Sequence, residues 1–290
     1  MDKEIILITG INSKIAEPII LRLKDKFKIL GVSRNIKKIS KKYDEVTYIQ
    51  HDLMNELKIK DKVKYVIHLG SYVPYNFCGQ DNFELSYISN ITMMQNLLKF
   101  SINQNIKKFI YTSSTDVYGR NNENILFEEA TCSPNNYYGL SKKANEDLLN
   151  VYFHCYGLEF SAFRISYILS KDLSNDRFLK KLLNSIKNNE SINLYNENNI
   201  LNIIHVNEIA NTIIKAIDGG NGIYNLSKEV SLNSFVEEAK YVYNSTSSVY
   251  YKYDHDKLNK VVFNNKKLLN YFGNDILLDL KETILKTVRV

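Results

Sequence analysis

The chain has 290 residues, of which 44% are hydrophobic, and a formal charge of +6. That composition excludes a disordered chain and suffices for one large α/β domain with a smaller lobe, or for two modest domains. No apolar stretch approaches the roughly 20 residues that cross a bilayer. The first ten residues lack a charged start, a long apolar run and a small-residue cleavage site, so a cytoplasmic protein with no membrane partner is expected.

Residues 4–9 (EIILIT) form the first apolar run, β-branched and closed by Gly10, and predict a buried strand. Residues 13–26 follow with Ile15, Ile19 and Leu23 at helical spacing, and Pro18 falls in the first turns, where proline is tolerated. Further strands are expected over 27–32, 46–50, 64–69, 107–112 and 159–165, with helices over 81–104 and 136–156. The lysines at 37, 38, 41 and 42 read as a solvated surface, because no nucleic-acid module accompanies them. Strands alternating with helices imply a parallel sheet with ligands at the carboxyl ends of its strands. After residue 169 the alternation weakens, and an Asn-rich turn at 196–199 and a Gly-Gly-Asn-Gly turn at 219–222 separate shorter elements. Cys78, Cys132 and Cys155 are odd in number and lack metal-ligand spacing, so they read as reduced thiols and no metal is expected.

Two segments carry chemistry. Thr9-Gly10-Ile11-Asn12-Ser13-Lys14-Ile15-Ala16 links the first strand to the first helix. A dinucleotide site needs a tight turn there, backbone close to pyrophosphate and a helix N-terminus aimed at it; an ordinary strand–turn–helix has the same outline. The second segment is Tyr138-Gly139-Leu140-Ser141-Lys142. Residues four apart share one helix face, so the phenol and the ammonium point into the same space. A free phenol titrates near 10, too high for acid–base work at neutral pH, and a nearby cation lowers that value at about 1.4 kcal/mol per unit. About 25 residues upstream stands Tyr111-Thr112-Ser113-Ser114-Thr115-Asp116-Val117-Tyr118-Gly119.

These motifs, in this order, resemble the extended short-chain dehydrogenase/reductase family: its Thr-Gly-x-x-Gly-x-x-Gly turn, its Ser-Ser-x-x-Val-Tyr-Gly strand end and its Tyr-Gly-x-Ser-Lys helix. The resemblance runs from residue 4 to about 226 and includes His68-Leu69-Gly70-Ser71, Asn90, Arg164, the His205-Val206-Asn207 segment and Gly222-Ile223-Tyr224-Asn225. Ser13 stands in for the second glycine of the turn, where a hydroxyl can donate to phosphate, and Ala16 for the third. The resemblance implies a Rossmann-type doubly wound parallel sheet of seven strands with a smaller C-terminal substrate-binding lobe. The division is expected as a dinucleotide-binding domain over 1–168 and a mainly substrate-binding lobe over 169–290, with one or two segments returning to the sheet.

By the same resemblance Ser114, Tyr138 and Lys142 are the candidate catalytic residues. Cofactor contacts are expected from Gly10, Asn12, Ser13, Lys14 and Ile15, from Ser33 and Arg34 at the second strand end, and from Asp52 and Leu53 at the third. Leu69, Gly70, Ser71 and Thr112 complete that set with Tyr138 and Lys142. NAD-preferring members carry an acid at the second strand end; Ser33 and Arg34 suit a 2′-phosphate instead, so NADP(H) is favoured and NAD(H) is the alternative. Thr115, Asp116 and Tyr167 are candidate substrate contacts, with Asp116 read in preference as bonding local backbone in its turn. His205 reads as a packed strand residue. The implied activity is NADPH-dependent reduction of a nucleoside-diphosphate-linked keto-sugar by a homodimer. The rivals are an NAD-dependent nucleotide-sugar 4-epimerase, a dehydratase, and a non-catalytic dinucleotide sensor.

Overall fold

The computed structural model describes residues 3–39, 41–74, 83–121, 123–174 and 177–288. Cys78 and the first two residues of the helix expected over 81–104 lie outside the described residues. In chain order the elements are β1 (Ile5–Thr9), α1 (Ala16–Leu23), β2 (Lys28–Ser33), β3 (Val46–Gln50), β4 (Val63–His68), α2 (Ser89–Gln104), β5 (Lys108–Ser114), β6 (Ile125–Leu126), α3 (Tyr137–Tyr156), β7 (Phe160–Ile165) and β8 (Tyr167–Leu169). There follow α4 (Phe178–Lys187), β9 (Ile192–Tyr195), β10 (Ile200–His205), α5 (Val206–Ala216), β11 (Gly222–Leu226), β12 (Lys228–Ser231), α6 (Leu232–Tyr243), β13 (Val249–Lys252), β14 (Val262–Phe263), α7 (Lys266–Phe272) and α8 (Leu280–Val288).

Seven strands form one parallel sheet in the order β11-β7-β5-β4-β1-β2-β3. The expected doubly wound sheet is thus observed, and its order reverses between β1 and β4. Helices cover both faces, and the alternation of side chains along β1 shows why. Ile6 and Ile8 enter the core under α1 and α5, with Ile19, Ile209 and Ile213. Leu7, between them, enters the opposite core under α2 and α3, with Met94, Leu97 and Leu149. Each such fully buried aliphatic side chain stabilises the fold by about 1.5–3 kcal/mol.

The strands lie within two residues of expectation. The helices differ more. α1 begins at Ala16 rather than 13, because Ser13 N donates to Gly10 O at 2.8 Å and Ala16 N to Ser13 O at 3.0 Å, which keeps the chain in turns. In place of one helix from 81, a π-helical turn spans Phe83–Ile88 ahead of α2. Ser89 Oγ donates to the Glu84 carbonyl five residues back at 3.2 Å, in keeping with the widened turn. The remaining strands form small sheets, β12-β10-β8, β13-β9 and β14-β6. A third core unites Leu182 and Ile186 of α4, Phe235 and Val236 of α6 and Ile284 of α8.

Candidate active site

The end of β5 and the first turns of α3 meet. Asn136 caps α3 by accepting from Gly139 N at 2.8 Å. Glycine is required at 139 because a Cβ there would lie 2.5 Å from the Asp116 carbonyl oxygen. That approach sets Tyr138 beside Ser114, with which it hydrogen-bonds. Lys142, one turn on, is buried with 2% exposure, and its Nζ donates to the Thr112 carbonyl at 2.8 Å. The same ammonium stands 5.4 Å from the ring centre of Tyr138 and 4.8 Å from that of Tyr111. The structure therefore brings Ser114, Tyr138, Lys142 and Thr112 together.

Burial dominates the titration of this cluster. It pulls Lys142 down to about 7, while the carboxylates of Glu146 and Asp116 act in the opposite sense. Burial and then the Asp116 carboxylate push the Tyr138 phenol well above its ordinary value. Asp116 Oδ2 accepts from Ser114 Oγ at 2.8 Å, and Asp116 N donates to the same Oγ at 3.1 Å. The local-turn reading of Asp116 thus has the right place and a different partner: its side chain holds the Ser114 hydroxyl, not backbone. Thr115 opens the same turn, accepting from Tyr118 N at 3.1 Å.

The residues expected at the cofactor line the carboxyl ends of β1, β2, β3 and β4. Gly10 has φ +67°, and a Cβ on it would stand 2.5 Å from Gly70 N, so the first turn and the β4 loop touch backbone to backbone. Leu69 N donates to the Thr9 carbonyl at 3.1 Å, and His68 Nδ1 lies 2.6 Å from Thr9 Oγ1. Burial pulls His68 down to about 3, so its ring is neutral. Ser13 Oγ and Ser71 Oγ, in the loops leaving the adjacent strands β1 and β4, are buried without a hydrogen-bond partner. A buried hydroxyl left unpaired is unfavourable by about 1–3 kcal/mol, and phosphate or ribose oxygens would satisfy it. Ile15 precedes α1 as its N-cap and offers no side-chain cap to the helix. These residues fit a dinucleotide.

The other expected contacts vary. Asn12 is exposed, and Lys14 reaches across to the Asp172 carbonyl. Ser33 is buried with its Oγ accepting from Asn35 N at 3.3 Å, and Arg34 is exposed. Asp52 is exposed and bonds Met54 N at 3.1 Å; Leu53 is buried, its carbonyl held by Asn96. Tyr167 packs against the lobe core with Arg177 5.9 Å from its ring centre. His205 caps α5, its Nδ1 accepting from Asn207 N at 3.2 Å, as a packed residue should.

Behind the site lies a charged core that spacing alone does not reveal. Arg164 on β7 donates from Nη2 to Glu146 Oε2 at 2.8 Å and from Nη1 to the Tyr118 hydroxyl at 2.8 Å. Ser113 Oγ donates to Glu146 Oε1 at 2.6 Å. Glu146 follows Lys142 by one turn of α3, so this network underlies the ammonium. The signal for it was Arg164 inside a strand otherwise made of small and apolar residues, which a buried partner must explain.

A reversing parallel sheet, a glycine turn at its switch point and a hydroxyl–phenol–ammonium cluster define a dinucleotide-dependent oxidoreductase of Rossmann type. The NAD dependent epimerase/dehydratase family model matches residues 6–227. The chain is 30% identical over 223 residues to an uncharacterized protein of Methanocaldococcus jannaschii, covering 72% of this chain and 67% of that protein. It is 24% identical to the GDP-6-deoxy-D-talose 4-dehydrogenase of Aggregatibacter actinomycetemcomitans, covering 93% of this chain and 92% of that one. In fold it matches the UDP-N-acetylglucosamine 4-epimerase of Methanobrevibacter ruminantium M1, with a TM-score of 0.82, 24% identity and coverage of 99% and 98%. The chain belongs to the NAD-dependent epimerase/dehydratase family.

Proposed function

We propose that the chain reduces the keto carbon of a nucleoside-diphosphate-linked keto-sugar with NADPH. The convergence of Ser114, Tyr138 and Lys142 supports hydride-transfer chemistry in reductase and epimerase alike, and the observation that carries the choice of net reduction is Arg34, exposed at the end of β2 with no acid beside it. A bound nicotinamide supplies the hydride. Tyr138 protonates the carbonyl oxygen, Ser114 orients that oxygen, and Lys142 anchors ribose hydroxyls and stabilises the phenolate left behind. Ser13 and Ser71 donate to the dinucleotide's polar groups. The exposed Arg34 guanidinium, with the Ser33 backbone and no acid at the end of β2, supports a 2′-phosphate and hence NADPH. Relatives support the sugar: the names of two that align almost end to end each specify the 4-position of a nucleotide-linked sugar. The same reading includes a cytosolic homodimer paired through α2 and α3, the latter leaving Val151 and Tyr156 exposed.

A second reading, a 4-epimerase that oxidises and re-reduces one carbon on a retained NAD, is favoured by the name of the Methanobrevibacter relative. Mass spectrometry of the dinucleotide that co-purifies, followed by NADPH consumption with a panel of nucleotide-linked keto-sugars, separates the two. Net NADPH oxidation supports the reductase. Retained NAD, interconversion of epimers and no net consumption overturn it. A dinucleotide sensor would be indifferent to Tyr138→Phe.

A further inference from the structure

We infer that Asp116 is a positioning residue that fixes Tyr138 as a proton donor and so biases the site towards carbonyl reduction over alcohol oxidation. The direction of that bias rests on the reductase reading; the effect on Tyr138 does not. Asp116 sits on the one-turn helix Thr115–Val117 that follows β5. It is clamped on two sides. Its carboxylate and its backbone N–H both bond Ser114 Oγ, at 2.8 and 3.1 Å. On the other side Gly139, the neighbour of Tyr138, approaches so closely that a Cβ on it would lie 2.5 Å from the Asp116 carbonyl oxygen and 3.2 Å from Asp116 Cβ. Its backbone and Cβ are thus fixed against α3, and its half-buried carboxylate is held by the bond from Ser114.

Two consequences follow from this placement. A carboxylate only accepts, so in this arrangement the single Ser114 hydrogen points to Asp116 and must turn away from it to reach a substrate oxygen or a Tyr138 phenolate. Ser114 also hydrogen-bonds Tyr138 and favours its phenolate, but it can serve the phenolate fully only by withdrawing that hydrogen from Asp116. Burial is the larger cause of the raised phenol, and the Asp116 charge adds to it by disfavouring the phenolate. The other groups around Tyr138 do not reverse this. Lys142 opposes Asp116 but is buried and held at about 7. Tyr111 on β5 is buried and raised far above its ordinary value, and His68 on β4 stays neutral. Glu146 lies one turn beyond Lys142 and is paired with Arg164, while Glu84 on the π-helical turn is exposed.

In reduction the carbonyl carbon gains hydride from the reduced nicotinamide, and its oxygen gains the Tyr138 proton. The C=O π bond is replaced by C–H and O–H bonds, leaving oxidised nicotinamide and a phenolate that regains its proton from solvent. The reverse reaction requires the phenolate first, and Asp116 opposes that.

The test is proton release when oxidised NADP binds the whole protein, followed with a pH indicator in weakly buffered solution from pH 7 to 10. Tyr138→Phe supplies the blank. Asp116→Asn keeps the shape and removes the charge; the midpoint of Tyr138-dependent release should fall by on the order of one pH unit. Asp116→Glu keeps the charge and should restore the wild-type midpoint. Should Asp116→Asn fail to fold, Asp116→Ser takes its place as the neutral variant. A neutral variant that titrates with wild type overturns the inference, and so does an equal fall in Asp116→Glu, which would make the turn's packing responsible instead of its charge. NADPH consumption with keto-sugar, measured in parallel, judges the reductase reading separately: its absence with an intact shift in proton release rejects that reading alone.

Discussion

Replacing Arg164 by methionine tests how the charged core beneath the site is held. The guanidinium is 3% exposed and bonds Glu146 through Nε at 3.1 Å and Nη2 at 2.8 Å, the Tyr118 hydroxyl at 2.8 Å and the Glu128 carbonyl at 2.9 Å. Glu146 is fully buried, and Ser113 alone would remain to it as a donor. Burial by itself would lower the affinity of Arg164 for its proton; its bonds to Glu146 and the carboxylate charge outweigh that and raise it. Methionine fills similar volume but strands the anion, a loss of about 3–5 kcal/mol. At about 2–4 °C per kcal/mol for a domain of this size, the melting temperature should fall by roughly 6–20 °C. Thermal unfolding read by circular dichroism measures the shift, and chemical denaturation the free-energy loss. The double variant Glu146→Leu with Arg164→Met removes both charges and should recover most of the loss. A single variant within about 1 kcal/mol of wild type, or a double variant no better than the single, refutes the reasoning.

Tyr138→Phe should lower turnover by about 10²–10⁴ while dinucleotide affinity stays within a few-fold, whereas Lys142→Met should weaken both; steady-state kinetics and a binding titration read the difference. Stability should fall on acidification through two neutral histidines. His68 is held at about 3 and His205 at about 4, against about 6.5 unfolded, so the unfolded chain binds more protons below that value. Their contribution is complete above about 6.5 and declines as pH drops through 4; a flat urea midpoint between pH 7 and 4 would contradict this. Arg34→Asp should turn preference from NADPH to NADH by at least about tenfold, ~1.4 kcal/mol, measured as the ratio of kcat/KM values. An unchanged ratio would remove Arg34 from the cofactor site.

The sheet is readable from sequence because strands buried on both faces appear as unbroken apolar runs. β1 is of this kind, β4 and β7 are buried strands in which apolar residues predominate, and β3 falls on 46–50 as expected. The Tyr138–Lys142 pair is readable because helical spacing fixes which side chains share a face. What escapes such reading depends on groups brought together by the fold. Tyr111 lies under Lys142 because α3 crosses β5, and Glu146 meets Arg164 across a helix and a strand. Asp116 looks like a turn residue in one dimension; only its closeness to Gly139 ties it to the phenol. The π-helical turn at Phe83–Ile88 leaves no periodic mark distinct from the helix it precedes.

The altered glycine turn shows why departures from a motif differ in weight. Of the three glycine positions, only Gly10 has φ +67° and backbone closer than any Cβ allows. Ser13 keeps a negative φ, since Asn105, Asn189, Asn196 and Asn244 are the only non-glycine residues with positive φ among those described. A side chain at 13 is therefore unstrained, and it places a buried hydroxyl where a ligand's oxygen can accept from it. Ala16 is fully buried in the core under α1, where a small residue suffices and an α-carbon without substituent is not needed. The pattern's glycines answer three different demands, one of backbone conformation, one of ligand approach and one of packing. Only the first is absolute, which is why a chain that keeps Gly10 alone still builds the turn.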